Sequence, residues 1–301
     1  MLNTKLILVE GIPGSGKTTT AAKIKEYLDS KNIKAHLYQE GDSNPSDYAW
    51  VAILPEAAYE DLTKSYPEYK QVLENYSERD ENRVLVYYLK MKNSSGAQIP
   101  QELIDHLSRY EPYDGKLSAE DFFKLHLARY QKFALEAAES DEISIFESSY
   151  LQNQVNEYLG FHNLDKATGI DYLLKLAECY ENLMPILIYL TQQDISVTIK
   201  KAADERRSPD KSKHPDWIDL IINYVSKSPL GADNHLSGFE GAVEYFSRRK
   251  QIELEAVNKL NLRKVIVEND HYNTEKGLSD VIKAFEKIFE EEVLNDGKRI
   301  V

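Results

Sequence analysis

Cysteine is almost missing from this chain of 301 residues: it has one, Cys179, so no disulfide can close within it. Apolar runs are short as well, none near the about 18 residues that a membrane-crossing helix needs. The start of the chain lacks the basic, apolar and small-residue succession of a secretory signal. Positive charge is scarce, with 37 Lys and Arg against 50 Asp and Glu and a net charge of −13. Such a surface repels a polyphosphate backbone, which argues against a nucleic acid polymer as partner. The seven histidines are scattered, none at HxxxH or HExxH spacing, so no structural zinc site is expected. These absences predict a cytoplasmic protein without membrane contact, and they leave a homodimer open.

One run near the start is informative. Gly11-Ile12-Pro13-Gly14-Ser15-Gly16-Lys17-Thr18 satisfies GxxxxGK[ST] and directly follows an apolar stretch over residues 6–9. A buried strand that ends in a glycine-rich loop and a helix opening at Lys17 aims backbone N–H groups and a helix dipole at one point, where phosphate oxygens belong. Gly11, Pro13, Gly14, Ser15, Gly16, Lys17, Thr18 and Thr19 are the expected nucleotide-binding set. Lys17 is expected to reach the β and γ phosphates, and the Thr18 hydroxyl to ligate Mg²⁺.

Five apolar, β-branched runs predict one parallel sheet: residues 6–9, 35–38, 143–146, 186–190 and 264–267. Helical patterns lie between them, at 18–30, 119–140 and 171–182, and a final amphipathic helix is expected over 277–293. The expectation is an α/β fold in a single domain over 1–301. Residues 47–118, rich in Tyr and acids, read as a mostly helical insertion on the acceptor side, although 83–92 suits strand or helix. Residues 195–260 are too long for a plain crossover and read as a lid with a helical segment.

In an open parallel sheet, ligands lie beyond the carboxyl ends of the strands. Glu40 and Asp42 follow the second strand, with Gly41 turning the chain between them, and either can act as base toward an acceptor hydroxyl. Glu147 ends the third strand where an acid can approach the metal with Thr18. Asp194, after the fourth strand, suits a helix cap. Among the cations, Arg129 precedes the third strand and can face the acceptor. Arg206 or Arg207 can close over the phosphates to stabilise developing charge. Arg248 and Arg249 read as a solvated helix face or as partners of Glu253. Leu236-Ser237-Gly238-Phe239-Glu240-Gly241 is better explained as a glycine turn than as a transporter signature, and no NKxD follows the loop.

The segments 6–20, 147–153 and 189–207 together resemble the P-loop kinases of small molecules, nearest the thymidylate kinase-like and deoxynucleoside kinase groups. The resemblance implies a P-loop NTPase fold, ATP and Mg²⁺ as cofactors, and transfer of the γ-phosphoryl group to a hydroxyl or phosphate of a small acceptor. Those groups carry arginine after the acid that ends the third strand, whereas position 148 is serine here. Antibiotic and sugar-nucleotide kinases that place an acid after the second strand, as Glu40-Gly41-Asp42 does, also fit. The alternative from another class is a nucleotide-gated regulatory ATPase acting on a protein partner.

Overall fold

The computed structural model describes residues 4–80, 82–270 and 275–297. The strands are β1 (Leu6–Gly11), β2 (Ala35–Tyr38), β3 (Ala52–Pro55), β4 (Ser77–Asp80), β5 (Arg83–Val86), β6 (Ile143–Glu147), β7 (Ile186–Thr191) and β8 (Arg263–Glu268). By its internal packing the chain divides into two compact units. One comprises the residues up to Glu40 and those from Tyr130 onward; the other is Gly41–Arg129.

The first unit holds the parallel sheet, in the order β2-β6-β1-β7-β8. From β1 the chain goes to one side for β2 and β6 and to the other for β7 and β8, so the strand order reverses at β1 and the ligand-binding crevice belongs at its carboxyl end. All six residues of β1 are buried, as a central strand covered on both faces requires. One face packs Ile7, Val9, Ile145, Ile188 and Leu190 against Ala21, Ile24 and Leu28 of the helix Lys17–Ser30 and against Val281 and Phe285 of the helix Glu275–Gly297. Positions 21, 24 and 28 fall on one stripe of a 3.6-residue period, so burying them drives the helix onto the sheet. Asn32 at φ +57° ends the first helix, with the Ile33 amide donating back to the Leu28 carbonyl.

The second unit carries a small sheet beside the expected helices. Its core is a three-stranded antiparallel sheet, β3-β5-β4, with the helices Glu56–Ser65, Lys70–Asn75, Tyr88–Ser94 and Gln101–Ser108. Leu54, Val84 and Val86 from the strands meet Leu62, Leu73, Leu103 and Leu107 from the helices. The ambiguous stretch 83–92 is strand and then helix: β5, then a helix beginning at Tyr88. Among the described residues no helix is long and apolar enough to cross a membrane.

Candidate functional site

The glycine-rich loop leaves β1 in a conformation that side chains would obstruct. Gly11 has φ +146°, and a Cβ there would lie 2.5 Å from the Leu190 carbonyl oxygen and 2.8 Å from Ser15 Oγ. Gly14, at φ +79°, would meet Ala202 and the Thr198 carbonyl at 3.0 and 3.1 Å. Gly16 at φ +90° caps the helix Lys17–Ser30 from the left-handed region, with no side chain on its first amides. Amide donors and the positive end of a helix dipole therefore converge at the carboxyl end of β1, ready for an anion.

Lys17 is buried, and its Nζ donates to the carbonyls of Gly11 and Ile12 at 3.0 and 3.2 Å. Burial pushes its ammonium below the usual lysine range. Glu40, Glu147 and Glu10 pull it back up, and Arg249 pushes it down with the burial. Thr18 Oγ1 donates to Glu147 Oε1 at 2.6 Å. Glu147 is itself buried, and among the described residues its other oxygen, Oε2, has no partner. A hydroxyl and a buried carboxylate with a vacant lone pair, both oxygen ligands, are the donor set a hard divalent cation takes. The pair fits Mg²⁺.

Glu40, the last residue of the first unit's N-terminal segment, accepts from Gln152 Nε2 at 2.8 Å. The structure thus gathers Lys17, Thr18, Glu40 and Glu147 in one unit. Asp42 and Arg129 belong to the other, where Arg129 donates to Tyr87 Oη at 3.1 Å and lies over the Tyr48 ring. Gly41 at φ +94° makes the turn between the two acids. Arg206 and Arg207 are exposed: Arg206 stacks on Trp217, Arg207 pairs with Asp204, and neither has a hydrogen bond to the loop among the described residues. Asp194 caps the helix Ile195–Glu205 by accepting from the Val197 amide at 2.9 Å. Ser148, where the resembled groups carry arginine, is buried at φ +65° and continues the ladder by donating its amide to Val9.

Residues 5–64 match the family model described as chromatin associated protein KTI12. No curated protein matches the chain at a significant level. The matched span runs from β1 through the loop and its helix to the helix Glu56–Ser65. With the five-stranded parallel sheet flanked by helices, the fold is that of a P-loop NTPase.

Of the two sequence expectations for Arg249, a solvated helix face or a partner of Glu253, the structure shows the second, and it adds a burial that the sequence reading did not foresee. Arg249 and Glu253, on the helix Gly238–Lys259, are both fully buried and paired, and Tyr189 Oη donates to Glu253 at 2.8 Å. Arg249 also reaches the Gly11 carbonyl and Gln152 Oε1, each at 3.3 Å. Their positions held the signal: 249 and 253 lie on the same stripe as the buried Ala242, Tyr245, Phe246, Ala256 and Val257. Charges inside an apolar stripe must be paired, and breaking such a pair costs about 3–5 kcal/mol.

Glu10, on β1 beside the loop, is completely buried, and burial pushes its carboxyl up to about 7, against the pull of the Tyr150 amide that it accepts at 2.8 Å. A folded-state value above the unfolded one means that the native protein holds a proton the unfolded chain releases between about pH 4.5 and 7. Stability from this group is full below that window and lost as pH rises through it. Glu10→Gln, whose carbonyl can still accept from Tyr150, is expected to melt about 5 °C above the wild type at pH 8, with the difference shrinking toward pH 5. Thermal melts across that range check it, and a difference independent of pH would assign the gain elsewhere.

Proposed function

We propose that the protein is an ATP- and Mg²⁺-dependent phosphotransferase that moves the γ-phosphoryl group to a hydroxyl or phosphate of a small acceptor. The observation that carries the reading is the convergence on Lys17 of Glu147, with its vacant buried oxygen beside Thr18, and of Glu40, held from the end of β2 by Gln152. The loop amides and Lys17 bind the phosphates. Thr18 and Glu147 would hold Mg²⁺, which when bound neutralises charge on the phosphate oxygens. Glu40 accepts the proton of the attacking hydroxyl, and Gln152, by donating to Oε1, leaves Oε2 to face the acceptor. The helix Ile195–Glu205 packs on Gly14 through Thr198 and Ala202, which puts Arg206 one turn further along a segment suited to close as a lid.

Glu40→Gln is expected to bind ATP·Mg with wild-type affinity and to lose transfer by about 10²-fold. Calorimetry measures the first. An ATP-consumption screen over nucleosides, nucleotides, sugars and aminoglycosides, with mass spectrometry of products, measures the second. Transfer that survives Glu40→Gln removes the base from this residue.

The match to a family described as chromatin associated supports a second reading, a nucleotide-gated ATPase that acts on a protein partner. Slow hydrolysis indifferent to every acceptor, with partner binding that needs nucleotide, selects it over the first.

A further inference from the structure

Two cations share one carbonyl in the phosphate loop. The Gly11 oxygen accepts from Lys17 Nζ at 3.0 Å and from Arg249 Nη2 at 3.3 Å. The sharing cannot outlast nucleotide binding as this site is read above. Phosphate oxygens attract the Lys17 ammonium more strongly than neutral carbonyls do, because the Coulombic attraction of two opposite charges adds to the hydrogen bond. Lys17 therefore leaves Gly11, and a buried carbonyl left without a side-chain donor would pay a desolvation penalty. Arg249 is already in place to keep that oxygen satisfied. Its guanidinium is fixed by Glu253 on Nε and by Asn156 Oδ1 on Nη1 at 3.4 Å, while Nη2 faces both Gly11 and Gln152.

The same nitrogen leads to the other side of the site. Gln152 Oε1 accepts from Arg249 at 3.3 Å, and its Nε2 donates to Glu40 Oε1 at 2.8 Å. Because Arg249 can only donate, it fixes which end of the Gln152 amide points at Glu40, and so keeps that carboxylate an acceptor.

We propose that Arg249 is a positioning residue of the phosphate site, holding the Gly11 carbonyl when Lys17 moves to phosphate and, through Gln152, orienting Glu40. This rests on the nucleotide-binding reading of the loop. The function follows from the planar fork of the guanidinium, which serves Glu253, Asn156, Gly11 and Gln152 from three nitrogens at once; a lysine ammonium is a point charge that cannot.

Two variants separate positioning from mere charge balance. Arg249→Lys keeps a cation for Glu253, and Arg249→Met with Glu253→Leu removes the buried pair as a unit, which buried pairs often tolerate without loss of stability. Each is melted without ligand and titrated with a fluorescent ATP analogue plus Mg²⁺, wild type alongside. The expected result is a variant that stays folded and binds the nucleotide about tenfold more weakly, the effect of a displaced anchor rather than of a lost ligand. A third variant, Gln152→Met, is expected to bind nucleotide as the wild type does and to lose acceptor-independent phosphate release from ATP by about tenfold. Wild-type affinity in a folded Arg249 variant overturns the proposal. If neither Arg249 variant folds, unchanged phosphate release in Gln152→Met overturns it. A wild type that binds no nucleotide refutes the reading of the loop itself, which the parallel titration reveals directly.

Discussion

A Lys17→Met variant is expected to lose turnover by on the order of 10³-fold while its ligand-free form melts at or above the wild-type temperature. The two halves have one cause. Lys17 is buried with, among the described residues, carbonyl oxygens as its hydrogen-bond partners, and its ammonium is held below the ordinary lysine range by burial and by Arg249, despite three carboxylates nearby. A group whose charged form is disfavoured by its surroundings makes the ligand-free fold less stable than an apolar chain of the same length would. Phosphate reverses the balance, because the ammonium then has an anion to pair with and its cost becomes binding energy. Methionine removes both terms. Melts with and without ATP·Mg check this: the wild type gains stability from the nucleotide and the variant gains none. A variant that still turns over within a few-fold of the wild type removes Lys17 from the phosphate site; one that melts well below it makes Lys17 a structural cation.

The five parallel strands could be read from the chain because a strand covered on both faces needs apolar side chains on each. Residues 6–9, 143–146 and 186–190 are such runs, and the observed strands add only one or two residues at their carboxyl ends: Glu10 and Gly11, Glu147, and Thr191. The phosphate loop was legible for a different reason, since its geometry tolerates so few residue types. The second unit was harder. β4 is Ser-Glu-Arg-Asp, an edge strand paired on one side only and half exposed, so its sequence carries turn and helix chemistry rather than strand propensity. Only its pairing to Arg83–Val86 makes it a strand, and pairing is not local. The burial of the Arg249–Glu253 pair was missed likewise: a pair four residues apart is the commonest ornament of a solvated helix. What separates it from the exposed Arg248–Glu244 pair one residue away is which face of the helix meets the sheet.

Glu147→Gln is expected to leave the fold intact and abolish the effect of Mg²⁺. The glutamine carbonyl can still accept from Thr18 Oγ1, so the 2.6 Å contact that ties β6 to the helix Lys17–Ser30 survives. The oxygen that has no partner now, Oε2, becomes an amide nitrogen. An amide nitrogen carries no lone pair for a hard cation, and the site loses the formal negative charge that contacts Thr18. The wild type should therefore bind an ATP analogue at least tenfold more tightly with Mg²⁺ than with a chelator, and the variant equally in both; turnover should fall by about 10²–10³-fold. Its ligand-free melting temperature should not drop, since a buried carboxylate with a vacant oxygen is replaced by a neutral group of the same shape. Persistence of the Mg²⁺ effect would move the metal to another acid, and Glu40 would be tested next, because it is the other carboxylate of this unit at a strand end facing Lys17. Loss of the Mg²⁺ effect with nucleotide affinity retained under chelation assigns the two tasks separately: the loop and Lys17 hold phosphate, and the Thr18–Glu147 pair holds the metal.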